Sequence, residues 1–304
     1  MLKRIFFFNI VIFFLFIFLI ELAARTFHLA DLTGLSKNLI ISEKDIYFNA
    51  PNIEAKAFSK KVFTDQSGFR IPKKNYKYKE ESSSILILGD SVSFGVGVEE
   101  KNTFVGLLRD EFKNINFFNS SVTGYNLKDY SKIVKKNHNI KNLDNVILFF
   151  TLNDISYQKT VLNFDEEFKK DKIDENINLF NKLKRNQYLV KLNYFLRNKS
   201  VFYMWVRGIV SKPSERHFYY TYPMYKNKNA ILNLENQIVE LKKVTNGYNL
   251  RLIVVLLPYE FQTRLENCNS DFLLPQDKIK TIFNNSNINF FDYTDSFCGD
   301  KKPN

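Results

Sequence analysis

Histidine is almost absent from these 304 residues, with three in all, at His28, His138 and His217. Few side chains are therefore available to serve as a neutral-pH base or to ligate a metal. Cysteine is scarcer still: Cys268 and Cys298 stand alone, and no close-spaced Cys/His set supports a structural zinc site. In an oxidising compartment the two could pair and hold the end of the chain to the loop after Leu257. Glycine (10) and proline (7) are sparse, and no glycine-rich phosphate loop occurs. Gly95-Val96-Gly97 lacks the third glycine of a dinucleotide fingerprint and lies beyond a strand end. No cofactor and no metal is expected.

The formal net charge is +12, yet the basic residues are scattered. Lys73-Lys74, Lys135-Lys136, Lys169-Lys170 and Lys242-Lys243 read as solvated faces. Such a surface favours anionic lipid head groups or acidic glycans. No nucleic-acid-binding motif is present, and no nucleic-acid partner is expected. Apolar residues make up 45% of the chain, enough for a sizeable core, and phenylalanine (31) far outnumbers tryptophan (1).

Lys3 and Arg4 precede Ile5 to Ile20, a run interrupted only by Asn9. Extended through Ala24, it reaches about the 20 residues that span a bilayer. The basic start places Lys3-Arg4 on the cytoplasmic side and the rest outside. Residues 1–24 are therefore expected as an uncleaved transmembrane anchor. A cleaved signal peptide is the rival, with Leu22-Ala23-Ala24 offering small residues for cleavage. Residues 25–60 read as a stalk and approach segment, and 61–304 as the folded domain, with an insertion at 155–229.

Ile85-Leu86-Ile87-Leu88 is an unbroken apolar run that ends in Gly89-Asp90-Ser91. Such a run reads as a parallel strand buried on both faces. In open α/β sheets ligands sit beyond the carboxyl ends of the strands, which is where Ser91 falls. A serine that only caps the next helix is the alternative. Phe117-Phe118-Asn119 leads into a polar loop containing Gly124, and Asn145 to Phe150 leads into Asn153-Asp154. Further strands are expected at Leu250–Leu257 and Asn287–Asp292. Helices are expected over 103–113, Leu127–Asn137, Ala230–Asn246 and Lys278–Phe283. This alternation argues for a parallel sheet with helices on both faces.

Serine, glycine and asparagine at three strand ends, in that order, resemble the blocks of the SGNH hydrolases, or GDSL esterase/lipase superfamily, of the membrane-anchored type. Gly89-Asp90-Ser91 matches the first block, Gly124 the second and Asn153-Asp154 the third, within a resemblance running from Thr64 to Asp295. It implies a three-layer α/β/α sandwich around a parallel, flavodoxin-like five-stranded sheet. It also implies that Ser91 is a nucleophile, and that Gly124 and Asn153 join the Ser91 N–H in an oxyanion hole. Negative charge develops on the carbonyl oxygen of an ester under attack, so fixed donors must point at it. A glycine admits close backbone approach, and an asparagine amide donates without carrying charge.

The chain departs from that family in one respect: no Asp-x-x-His block, the family's source of the base, occurs in it. A serine hydroxyl is a poor nucleophile without a base. Three explanations stand open. The block lies beyond Asn304, which is the expectation favoured here; the protein is a binding-only descendant; or His217, His138 or His28 is recruited. The expected function is hydrolysis of an ester, best guessed as an O-acetylated cell-envelope carbohydrate, by a domain on the periplasmic or outer side. The alternatives are a polysaccharide O-acetyltransferase and an inactive envelope- or glycan-binding protein.

Val62-Phe63-Thr64-Asp65-Gln66-Ser67-Gly68-Phe69-Arg70 resembles a lead-in of anchored members. Arg70 is read there as either a substrate-positioning residue or an ordinary surface or ion-pairing one. In the insertion, Phe202 to Val206 and Phe218 to Tyr222 are aromatic. They are read as a lid or sugar- or acyl-binding wall, or as the core of a small helical subdomain. Pro258 to Arg264, including Glu260, follows a strand end and is placed beside the same cleft.

Overall fold

A computed structural model describes residues 2–43, 46–155, 187–268 and 271–298. The strands are β1 (Ile40–Glu43), β2 (Ile46–Asn49), β3 (Glu54–Ala57), β4 (Lys60–Thr64), β5 (Arg70–Ile71), β6 (Ser83–Leu88), β7 (Ile115–Asn119), β8 (Leu143–Thr151), β9 (Arg251–Leu257) and β10 (Asn289–Asp292). The helices are α1 (Leu2–Thr26), α2 (Ser91–Phe94), α3 (Phe104–Glu111), α4 (Leu127–Asn137), α5 (Gln187–Lys199), α6 (Val201–Ser211), α7 (Pro213–Thr221), α8 (Lys228–Gly247), α9 (Glu260–Thr263), α10 (Leu274–Asn285) and α11 (Thr294–Phe297). They fall into two compact units, Met1–Gly34 with Lys159–Lys212, and Leu35–Gln158 with Pro213–Asn304.

The larger unit is built on an eight-stranded sheet in the order β10-β9-β8-β6-β7-β5-β4-β3. From β10 to β7 every pairing is parallel, with Leu86 level with Phe118 and Val146, and Val254 level with Leu148 and Phe290. These five strands carry the flavodoxin order expected from the sequence. Their apolar residues alternate between two covered faces. Ile87, Phe117 and Phe149 pack with Val105 just after the start of α3, with Phe104 and Leu108 against them. Leu86, Val146, Leu148, Phe150 and Val254 are buried on the opposite side, where Phe150 meets Phe283 of α10 edge-on at 5.8 Å. Burying one such ring is worth about 1.5–3 kcal/mol. A capping box starts α4 cleanly: the Asn126 side chain accepts from Lys128 N–H at 3.1 Å, and Asp129 accepts from Asn126 N–H at 3.1 Å.

The reading of 25–60 as stalk needs correction from residue 35 onward. Leu39, Ala55, Ala57 and Val62 form a buried cluster with Phe94, and β3, β4 and β5 extend the parallel sheet as antiparallel strands. Alanines at alternate positions of β3 present one small apolar face to this core. The cysteines do pair: Cys268 and Cys298 form a disulfide with Cα atoms 5.6 Å apart.

The smaller unit contains α1, α5 and α6. Helix α1 is long and apolar enough between Arg4 and Thr26 to cross a membrane. Of the expected insertion at 155–229, residues 156–186, which include Lys169-Lys170, lie outside the described residues. Its later aromatic stretch belongs to the larger unit. Phe218 of α7 is fully buried, 4.9 Å from the ring of Phe261 and 5.4 Å from that of Phe272. This stretch is therefore part of the main core, rather than the centre of a separate subdomain.

Candidate active site

In the sheet β6 lies between β7 and β8, so the loops after these three strands emerge side by side at one edge. Ser91 follows β6, Gly124 follows β7 and Asn153 follows β8. Ser91 is the first residue of α2. Asp90 caps that helix, its Oδ1 accepting from Val92 N–H at 2.8 Å. The turn before it is tight: a Cβ on Gly89 would sit 2.1 Å from Ser93 Oγ, so no other residue fits. Gly124 lies in an exposed turn at φ +96°, a conformation that L side chains rarely adopt. A glycine is required there for backbone reasons.

Hydrogen bonds tie the three loops together. Val122 N–H donates to Gly89 O at 3.3 Å, and Asn119 Nδ2 donates to Ser93 O at 3.1 Å, joining the second loop to the first. The Asp90 Oδ2 atom accepts from Asn153 Nδ2 at 2.7 Å and from Thr151 Oγ1 at 3.2 Å, joining the third loop to the first. Asn153 Oδ1 lies 2.9 Å from Thr151 Oγ1 and accepts from the Tyr259 hydroxyl at 3.1 Å. With a carboxylate on one side and hydroxyls on the other, the orientation of the amide is determined.

Several polar groups remain unspent. Among the described residues, the Ser91 hydroxyl has no hydrogen-bond partner, and the N–H groups of Ser91 and Gly124 donate to nothing. Asn153 uses one of its two amide N–H groups on Asp90. Three donors at neighbouring strand ends are thus left without an acceptor among the described residues.

Beneath this surface lies a buried carboxylate that the sequence pattern did not single out. Asp154 accepts from Thr151 N–H at 2.8 Å and from the Tyr130 hydroxyl. Burial first, and the Asp90 carboxylate second, push Asp154 well above the ordinary carboxylate range. The folded state therefore holds a proton that the unfolded chain releases near pH 4. Stability from this group is complete below that pH and is lost as pH rises through the folded value. Asp154→Asn replaces the protonated acid by a neutral isostere. Its urea midpoint is expected to exceed that of the parent at pH 8, with the gap closing toward pH 4. A gap that does not vary with pH would contradict the assignment.

The other expected site residues divide. Arg70 is fully buried, so it is neither a substrate contact nor a surface residue. It donates to the carbonyls of Phe94, Gly95 and Val98, just past α2, and burial pushes it down to about 10. Arg109 bonds Glu100 and donates to the carbonyls of Arg70 (3.0 Å) and Phe117 (2.6 Å). Glu260 is held by Arg264 through two 3.0 Å contacts, which leaves it poorly suited to proton transfer. His138 stacks on Tyr248 with ring centres 4.0 Å apart, and its Nδ1 lies 2.9 Å from Lys135 O. His217 is exposed on α7, and none of the three histidines bonds Ser91.

Sequence reasoning missed Tyr47 and Asn49, both inside the segment read as stalk. The Tyr47 hydroxyl lies 3.5 Å from where a Gly124 Cβ would be, and Asn49 Nδ2 donates to Ser121 O at 3.1 Å. The pairing of β1 with β2 carries them there, and no local motif announces it.

The arrangement defines an α/β protein with a serine, a glycine and an asparagine at three adjacent parallel-strand ends. No protein-family model and no curated protein matches the chain. Solved structures to which it is similar include a psychrotrophic esterase from Pseudoalteromonas, at 13% identity over 69% of this chain and 77% of that one, with a TM-score of 0.35. Another is a member of the lipolytic G-D-S-L family from Veillonella parvula, at 13% identity over 70% and 78%, with a TM-score of 0.34. A third is an acetylxylan esterase from Geobacillus stearothermophilus, solved as a catalytic mutant, at 14% identity over 72% and 80%, with a TM-score of 0.35.

Proposed function

We propose that this chain is a membrane-anchored serine esterase of the SGNH type. The carrying observation is that donors on Ser91, Gly124 and Asn153, which follow three neighbouring strands, remain unspent while the Ser91 hydroxyl is unbonded among the described residues. Ser91 Oγ attacks an ester carbonyl, and the carbonyl oxygen takes the negative charge. The three N–H groups receive that charge, the alcohol leaves, and water then releases the acyl group from Ser91. The Ser91 proton passes through a general base to the departing alcohol; among the described residues, none of His28, His138 or His217 is hydrogen-bonded to Ser91.

The substrate in this reading is an O-acylated, foremost O-acetylated, carbohydrate of the cell envelope. Supporting it are the span-length α1, which would hold the domain at a membrane, and the Cys268–Cys298 disulfide, which suits an oxidising compartment. The net charge of +12 would favour acidic glycans. One other reading is a glycan-binding protein without turnover, since among the described residues no histidine is hydrogen-bonded to Ser91.

A fluorophosphonate probe separates the two. Applied to the full chain with and without added imidazole, it is expected to label one peptide, at Ser91, faster when imidazole is present. The added imidazole stands in for the missing proton acceptor. Labelling at another residue would overturn Ser91 as the nucleophile, and no labelling in either condition would favour the binding-only reading.

A further inference from the structure

In the smaller unit, α6 starts against the far end of α1. Glu21 of α1 accepts from Ser200 Oγ (2.8 Å), Val201 N–H (2.9 Å) and Phe202 N–H (3.1 Å), and pairs with Arg25 at 2.8 Å. A carboxylate at the first amides of a helix both caps it and meets its dipole. The start of α6 is thereby pinned to the last turns of the one described helix long and apolar enough to cross a membrane. Val201 and Met204 are buried on one side of α6.

The other side of α6 is apolar and uncovered. Trp205, Val206, Ile209 and Val210 are exposed, Ile209 at 63% and Val210 at 77%. Phe202 lies beside Trp205, with rings 6.0 Å apart, so positions 202, 205, 206 and 209 make one stripe at helical spacing. Helix α5 repeats the pattern, with Tyr188 (83% exposed), Leu192 and Phe195 along one side. From Gln187 to Lys212 there are five basic residues, Lys191, Arg197, Lys199, Arg207 and Lys212, and no acidic one. At about 1.5 Å per residue, eleven residues make about 16 Å, half the hydrocarbon thickness of a bilayer. A helix of this kind is too short to span and too apolar to face water, and it suits the plane of a membrane surface.

We propose that α5 and α6 lie in the interface of an anionic bilayer, with Trp205, Ile209 and Val210 among the acyl chains and the basic residues at the head groups. This rests on reading α1 as a membrane anchor. The single exit point of α1 would then become a broad, oriented footing.

Trp205 is the only tryptophan of the chain and reports on this directly. The full chain is reconstituted in vesicles of phosphatidylcholine with phosphatidylglycerol bearing brominated acyl chains. The protein is expected to float with the vesicles, and its emission to fall about twofold or more. The quenching is expected to be weaker in vesicles of phosphatidylcholine alone. Paired Ile209→Glu and Val210→Glu substitutions, at exposed positions, should relieve the quenching without releasing the protein from the vesicles. Flotation with unquenched emission would overturn the proposal and leave the anchor standing. Failure to float would overturn the anchor itself, and equal quenching in both vesicle types would overturn the anionic preference.

Discussion

Ser91→Ala is expected to abolish fluorophosphonate labelling, and Asn153→Ala to slow it about 10²–10³-fold, the usual cost of one oxyanion-hole donor. The two variants probe different links. Ser91 carries the atom that bonds the probe, so its loss leaves nothing to label. Asn153 would act only on the charge that develops once the attack begins. Its side chain is exposed, and Thr151 Oγ1 still reaches Asp90 Oδ2 at 3.2 Å after truncation. The urea midpoint of Asn153→Ala should therefore move little while the labelling rate falls. Asn153→Asp is a sharper control: it sets a second carboxylate against Asp90, where the amide now donates at 2.7 Å, and should lose both rate and stability. Labelling of Asn153→Ala at the parental rate would remove Asn153 from the oxyanion hole.

Much of this was legible because the relevant signals are local. Ile85 to Leu88 reads as a strand buried on both faces, and Leu127–Asn137 is a helix with the bounds expected from the sequence. The candidate residues at strand ends then followed from the resemblance of their blocks to a known family. The antiparallel extension was not legible. Glu54-Ala55-Lys56-Ala57 alternates polar and apolar, but alanine has little strand preference, and the pairing with Lys60–Thr64 is what makes it a strand. Tyr47 and Asn49 reach the site only because that extension and its neighbouring hairpin exist. The role of Asp154 was hidden for a related reason: its raised pKa comes from burial first and then from Asp90, 64 residues earlier.

Arg70→Met is expected to lower the stability of the larger unit by about 1–3 kcal/mol, the typical cost of leaving a buried acceptor without its donor. Nothing near Gly68-Phe69-Arg70 in sequence reveals this, because the acceptors, Phe94 O, Gly95 O and Val98 O, lie 24 to 28 residues further on. The planar guanidinium serves all three carbonyls, and its carbon sits 4.9 Å from the Phe94 ring centre. Methionine fills much of the volume but donates to none of them, leaving the buried Phe94 O without its donor, whereas Gly95 O still accepts from Val98 N–H. The loss should extend beyond stability, because these carbonyls end the short helix whose first residue is Ser91. Arg70→Lys keeps the charge but presents a single point donor, and should fall between the parent and Arg70→Met in urea midpoint. If Ser91 depends on this brace, the labelling rate of still-folded Arg70→Lys will drop as well. A parental rate in a folded but destabilised Arg70→Lys would confine the arginine to holding the sheet edge.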